Sequence, residues 1–284
     1  MRRALAICLV TMGCAEEPTG APDPTCDEQG DELVLLARSM SFGREVDGVS
    51  PGFDLDGAVT AEGDPAGCGI ADLVGPNGAP GIDNALASVI PVLERTEAGV
   101  LEPLIQDSIN NGALLLMARL AELDDPRDDA CVDVSVFKGA GAPMLGNDGW
   151  ILANQTIQVD PASLLGNEAT DVQLDDGALV AGPMPRVALP IQVLDLNDTL
   201  EVFNARLGLT AREDGTWHGY LSGGLEVEML IETASLQNVD PVVVELVGPV
   251  LRRLADLAPD EAGVCQQLSA VFEVEMVPAF VWEE

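Results

Sequence analysis

Thr199-Leu-Glu-Val-Phe-Asn-Ala-Arg-Leu-Gly-Leu-Thr-Ala-Arg-Glu-Asp-Gly-Thr-Trp-His-Gly-Tyr-Leu-Ser222 reads as two strands joined by a tight turn. Phe203, Ala205, Leu207, Leu209 and Ala211 fall on one side of an extended chain, with Asn204, Arg206 and Thr210 on the other. That alternation is the period of a strand with one buried face. Asp214-Gly215 fits a two-residue hairpin loop. In that register His218 faces Ala211, Tyr220 faces Leu209, and Trp217 meets Arg212 in a cation–π contact.

Similar segments surround this hairpin. Leu33–Phe42 alternates, and so do Cys131–Val136 and Phe272–Met276. Further strand candidates are 150–159, 169–174, 177–182 and 186–194, with Pro190 suggesting an edge. Residues 113–121 have helical propensity, but Asn111-Gly112 before them and an aspartate run after them favour a strand. Segment 225–231 fits either state. The chain is therefore expected to be mainly β with a few helices, as an antiparallel β-sandwich (jelly-roll-like) or a partly open barrel.

Helical segments are expected near 83–110 and 240–257. Asp83 and Thr96 are placed to cap two helices in the first, and Asn110-Asn111-Gly112 ends it. In the second, Asp240 caps and Pro241 occupies the first turn. Val243, Leu246, Val247, Val250, Leu254 and Leu257 form its apolar stripe, and Pro249 should kink it.

The first fourteen residues, MRRALAICLVTMGC, combine a basic start with an apolar run too short to span a bilayer. They read as a signal peptide over residues 1–13. Its end resembles a bacterial lipobox, with Thr11 and Met12 off the usual pattern, which makes Cys14 the lipidated mature N-terminus. The alternative is an ordinary signal peptide cut near Ala15. Residues 14–30 form an acidic, Pro-rich tether, and 31–284 a single β-rich domain with an Asp/Gly-rich loop over 43–82 and a helical insert over 83–110. Ala15 is not the aspartate that retains enteric lipoproteins in the inner membrane, so the expected location is the outer membrane.

The formal charge is −35, from 48 acids against 13 Lys and Arg, with Lys138 and His218 each alone of their kind. Such a surface repels nucleic acid and anionic lipid, so contact with the membrane is expected only through the N-terminal lipid. The bias suits divalent cations, and it also suits a salt-adapted or GC-rich genome. The partner class is left open between protein and glycan. Four cysteines remain after Cys8 and Cys14, namely Cys26, Cys68, Cys131 and Cys265. In an exported chain they suggest two disulfides with three possible pairings, of which Cys26–Cys68 with Cys131–Cys265 is the expectation.

The chemistry-bearing candidate is Gly52-Phe-Asp-Leu-Asp-Gly57 with Cys68-Gly-Ile-Ala-Asp72 and Gly78-Ala-Pro-Gly-Ile-Asp-Asn84. Asp54, Asp56, Asp72, Asp83 and Asn84 offer hard oxygen ligands for a Ca²⁺ ion if the loop folds back. The glycine spacing is not that of an EF-hand, and the segment only loosely resembles thrombospondin type 3 calcium repeats. The competing role is turn and capping chemistry. These motifs, with a C-terminal cysteine before a strand ending in Pro278-Ala279, resemble an uncharacterised group of predicted lipoproteins from high-GC bacteria. The resemblance implies export and architecture but no reaction.

Two functions are carried forward. The first is an exported, lipid-anchored, non-enzymatic envelope protein with a structural or binding role, stabilised by calcium. The second is a secreted hydrolase built around His218, the one usual candidate base. It requires an open pocket where His218 meets a serine or carboxylate. The hairpin register instead puts His218 on an apolar face, and no G-x-S-x-G occurs around Ser222 or elsewhere.

Overall fold

A computed structural model describes residues 30–94, 101–163, 167–193, 196–236 and 241–282. The expected signal peptide, Cys14, Cys26 and most of the expected tether lie outside the described residues, as do the expected caps Thr96 and Asp240.

Twelve strands form among the described residues. They are β1 (Asp31–Phe42), β2 (Leu73–Val74), β3 (Pro80–Ile82), β4 (Leu116–Leu123), β5 (Asp129–Ala140) and β6 (Thr156–Val159), followed by β7 (Glu168–Asp175), β8 (Ala178–Val193), β9 (Leu196–Ala211), β10 (Trp217–Glu226), β11 (Leu257–Pro259) and β12 (Cys265–Trp282). Eight of them close a circuit, β1-β4-β5-β7-β8-β9-β10-β12 and back to β1, with antiparallel neighbours throughout. Of the two expected architectures the barrel is the one that forms, and its main sheet is closed rather than partly open. β6 runs parallel to the end of β12 and also pairs with β5.

Closure needs curvature. Register shifts interrupt β1 between Ala37 and Ser39, β8 between Ala181 and Met184, and β9 between Phe203 and Arg206, opposite Gly224 and Ser222 of β10. Such bulges bend a strand and increase its twist. The bulge in β8 joins what the sequence suggested were two strands, 177–182 and 186–194. Beyond it, β8 is paired with β9 alone among the described residues, so Pro190 does sit on an unpaired edge.

An eight-stranded barrel is just wide enough for side chains to fill. Leu174, Leu179, Leu207, Leu209, Leu221, Phe272, Val274 and Met276 are each at most 3% exposed and belong to one contiguous core. Burial of this many aliphatic groups is the main source of stability, at about 25 cal/mol per Å² of apolar surface.

The central hairpin differs from its expected register by one residue. Arg212 and Thr216 close a three-residue loop, Arg212 N–H donating to Thr216 O at 2.8 Å and Gly215 N–H to Arg212 O at 3.0 Å. Gly215 takes φ +83°, the left-handed position that such loops require. Trp217 therefore pairs with Ala211 and is buried, while His218 pairs with Thr210 on the outer wall. A one-residue slip exchanges the two faces of a strand. The two-residue loop would have put an indole in water and an imidazole in the core. The expected Trp217–Arg212 stacking is consequently absent; Arg38 lies over Trp150 instead, 5.4 Å from the ring centroid.

Helices cover parts of the outside. The insert supplies a 3₁₀ turn at Ala85–Ser88, then α1 (Ile90–Leu93) and α2 (Leu101–Asn110). Asp83 does not cap a helix. Asn84 occupies the N-cap position without a side-chain bond to the turn; its Nδ2 is held by Gly43 and Ser50, and Asp83 is bonded to Leu55. Glu102 of α2 accepts the N–H of Phe42, tying the helix to the end of β1. Segment 225–231 divides, ending β10 and opening α3 (Val227–Leu236). Next comes α4 (Pro241–Leu254), with Pro249 inside it and Arg252 bonded to Glu228 of α3 at 2.6 Å.

Residues 43–89 form a strap across the outer face of β12. Gly43 N–H donates to Val271 O, and Ala85 N–H donates to Ser269 Oγ. Gly52 lies so close to Val271 that a Cβ there would meet the valine side chain at 2.8 Å.

Candidate functional site

The strap gathers carboxylates because its backbone turns tightly. Asp54 Oδ1 accepts from Gly57 N–H at 2.6 Å, and Asp56 Oδ1 from Ala58 N–H at 2.8 Å. The second is an Asx turn and the first spans one residue more; each bond uses only the Oδ1 of its aspartate. Asp83 follows β3 and enters from the opposite side, its Oδ2 accepting from Leu55 N–H at 2.6 Å. One oxygen from each of Asp54, Asp56 and Asp83 lies within 4.8 Å of the others. Asp72 stands apart from this trio. Its oxygens accept Thr60 N–H at 2.6 Å and Thr60 Oγ1–H at 2.7 Å.

Asp83 is the hub. Burial pushes its carboxyl up to about 8, opposed by the Leu55 N–H and reinforced by the charges of Asp256, Asp56 and Asp72. Asp56 is also raised, through burial first, against the Ala58 N–H, with Asp72 and Asp54 adding repulsion. Asn84 is only 2% exposed. Its Nδ2 donates to Gly43 O at 3.1 Å and Ser50 Oγ at 2.8 Å, which fixes the amide orientation. Its Oδ1 has no partner among the described residues.

Sequence reasoning missed Asp256. This residue follows α4, is 6% exposed, and accepts from Ser269 through both oxygens, the N–H at 2.7 Å and the hydroxyl at 2.5 Å. Burial raises its carboxyl to about 6, against those two bonds. A signal was present: Asp256 interrupts the apolar Leu254-Ala255…Leu257 and sits beyond a helix C-terminus, where the macrodipole disfavours an anion.

The cysteines pair differently from the expectation. Cys68 bonds to Cys265, with Cα atoms 6.1 Å apart. Cys131 is also disulfide-bonded, to a partner outside the described residues. Cys68 lies on the strap at a left-handed φ of 51° after a 3₁₀ turn, and Cys265 opens β12 directly beneath it. Because the strap crosses β12 rather than folding back on the N-terminal region, Cys68 reaches the C-terminal strand.

A groove of about 740 Å³ lies on the outer wall over β8, β9 and β10. Gly208 gives it a flat floor, and Phe53 of the strap stands over that glycine. His218, Tyr220, Arg212 and Thr210 line it. His218 Nε2 is 2.6 Å from Glu273 Oε1, and the Tyr220 ring meets the imidazole edge-on at 5.4 Å. Burial and then Glu273 raise the Tyr220 phenol, so its hydroxyl is a donor at neutral pH. Ser222 is fully buried and does not line the groove.

Fold and site together define a closed, filled antiparallel barrel bound by an acidic strap. No protein-family model matches the chain, and none of the curated proteins or solved structures compared with it does so. No helix among the described residues is long and apolar enough to cross a membrane.

Proposed function

We propose that the chain is an exported, lipid-anchored envelope protein, held at the outer membrane through Cys14, with a non-enzymatic structural or binding role. Calcium held by Asp54, Asp56 and Asp83 stabilises its strap. The observation that carries this reading is the barrel interior. It is packed with Leu, Val, Phe and Met side chains, which leaves recognition to the outer wall. The acidic strap adds a reason for the calcium, because three converging carboxylates repel one another unless a cation lies between them. Cell fractionation tests the anchor. Wild-type protein should travel with the outer membrane and Cys14→Ser should become soluble; a variant that stays wholly membrane-bound refutes the anchor.

A second reading, hydrolysis at His218, is favoured by the groove and by the 2.6 Å contact with Glu273. A carboxylate on Nε2 holds the imidazole in one tautomer and leaves Nδ1 as a base for water. This reading requires turnover of chromogenic esters that disappears in His218→Asn. Hydrolysis at the buffer rate across an ester panel removes it.

A further inference from the structure

We propose that the barrel rim at which β1 begins carries a second membrane contact, an apolar patch of Met144, Leu145, Trp150, Leu152, Phe280 and Trp282 that rests on the headgroup layer of a zwitterionic phospholipid surface. The inference rests on the lipid-anchored reading and goes beyond it, because it gives the folded body a lipid-facing side.

All six side chains are exposed, from Trp150 at 39% to Met144 at 59%. They include two of the chain's three tryptophans. Hydrogen bonds make one unit of them. Leu145 and Ile151 bridge, and Leu152 N–H donates to Met144 O at 3.0 Å, which folds 144–152 into a small hairpin. The buried Gln155 side chain accepts Met144 N–H and donates to Leu152 O, each at 2.8 Å. The Gln155 backbone O accepts Phe280 N–H, and Asn154 N–H donates to Pro278 O. The hairpin is thereby fixed to the end of β12. Arg38 of β1 lies over the Trp150 ring and holds it from the barrel side. Single exposed apolar residues are ordinary, whereas a grouped set marks a contact surface.

Position selects the occupant. Ala279 pairs with Val34. Beyond that pair β12 runs on to Trp282 while β1 runs back to Asp31, toward the same rim. Gly30 is thus roughly 13 Å along the strand from the level of Ala279. Cys14 lies 16 positions before Gly30. As a random coil, a chain of that length spans roughly 20–24 Å. A lipid on Cys14 therefore keeps this rim, rather than the opposite one, at the bilayer surface. Residues 15–29 contain no Val, Leu, Ile, Met, Phe, Trp or Tyr, so that segment offers nothing apolar to cover the patch.

The chemistry agrees with the place. Tryptophan has an apolar body and one N–H donor, and it settles at headgroup depth. Charge restricts the lipid. Asp148 lies in the hairpin, Glu283 and Glu284 follow Trp282 in sequence, and the whole chain carries −35. An anionic surface repels such a body and a zwitterionic one does not. Without the lipid the contact is weak; the anchor makes it intramolecular, at an effective concentration in the millimolar range.

The test uses full-chain Cys14→Ser, which lacks the lipid, with phosphatidylcholine vesicles whose acyl chains are brominated. Bromine quenches only tryptophans that reach the bilayer. At about millimolar lipid the emission of Trp150 and Trp282 should be quenched, while that of buried Trp217 remains. Adding Met144→Ser with Phe280→Ser keeps both reporters and should raise the lipid concentration for half-quenching at least about tenfold. Val264→Ser, exposed just before the opposite end of β12, should change nothing. Vesicles half made of phosphatidylglycerol should quench less at low salt. Absent quenching, or quenching that Met144→Ser with Phe280→Ser leaves unaltered, overturns the lipid-facing patch. So does a dimer in sedimentation that those two substitutions dissociate without any vesicle binding, since a second copy then covers the patch. None of these results touches the anchor, which fractionation of wild type against Cys14→Ser reads separately.

Discussion

Cys68 and Cys265 are covalently joined across a separation of 197 residues, with Cα atoms 6.1 Å apart. The bond pins the strap to the start of β12, the strand that pairs with both β1 and β10. It does so where the strap has little apolar content of its own. A cross-link over so long a loop removes much freedom from the unfolded chain.

Replacing both cysteines, as Cys68→Ala with Cys265→Ala, should lower stability by about 3–5 kcal/mol. Urea unfolding monitored by tryptophan fluorescence measures this. A midpoint unchanged from wild type would show that the strap is held by its hydrogen bonds alone.

The hairpin register separates two neighbours. Trp217 is buried at 4% exposure, so Trp217→Ala should cost about 3–5 kcal/mol. His218 lies on the outer wall, and His218→Ala should stay within about 1 kcal/mol of wild type. Equal losses at both positions in thermal unfolding would contradict the register.

The strap makes the metal-free protein acid-loving. Asp83 is raised to about 8 and Asp256 to about 6, chiefly by burial, from 3.8. A carboxyl with a raised folded value binds its proton more tightly when folded. Its stabilising contribution is complete below the unfolded value and is lost as pH rises through the folded one. Chelated protein should therefore melt at a higher temperature near pH 5 than near pH 8, by up to about 1.4 kcal/mol per pH unit for each group that titrates. Asp83→Asn should flatten the profile between pH 6 and 8. A metal-free melting temperature that rises over that interval would refute the assignment.

Calcium should raise the melting temperature at pH 8, by the equivalent of about 2.7 kcal/mol at 100 times the dissociation constant. Asp54→Ala or Asp83→Ala should abolish the shift. Equal shifts with Mg²⁺ would mean that the ion merely screens the acidic surface.

Much of the wall was legible in the sequence, because alternation such as Phe272-Glu-Val-Glu-Met276 reports a buried and a wet face directly. Loop length was less legible: Asp214-Gly215 marks a turn but does not say whether Glu213 belongs to it, and that residue decides which side His218 takes. Asp54, Asp56 and Asp83 could be grouped by sequence proximity, and one oxygen from each does converge. Asp256 and the Cys68–Cys265 bond could not, since both depend on the strap crossing a strand far along the chain. Closure itself was invisible, because alternation describes each strand and not which strands become neighbours.

The seam between β1 and β12 sets an order of events. Val34 pairs with Ala279 and Phe42 with Phe272, so the edge of the first barrel strand that faces away from β4 has no partner until the last strand has emerged. Hairpins such as β9–β10 close locally and early, whereas the seam waits for the largest loop closure in the fold. A chain threaded through a translocation pore from its N-terminus cannot shut its barrel on the near side while β12 is still unmade. Under the proposed export, that seam stays open and the barrel unclosed until the last strand has been made.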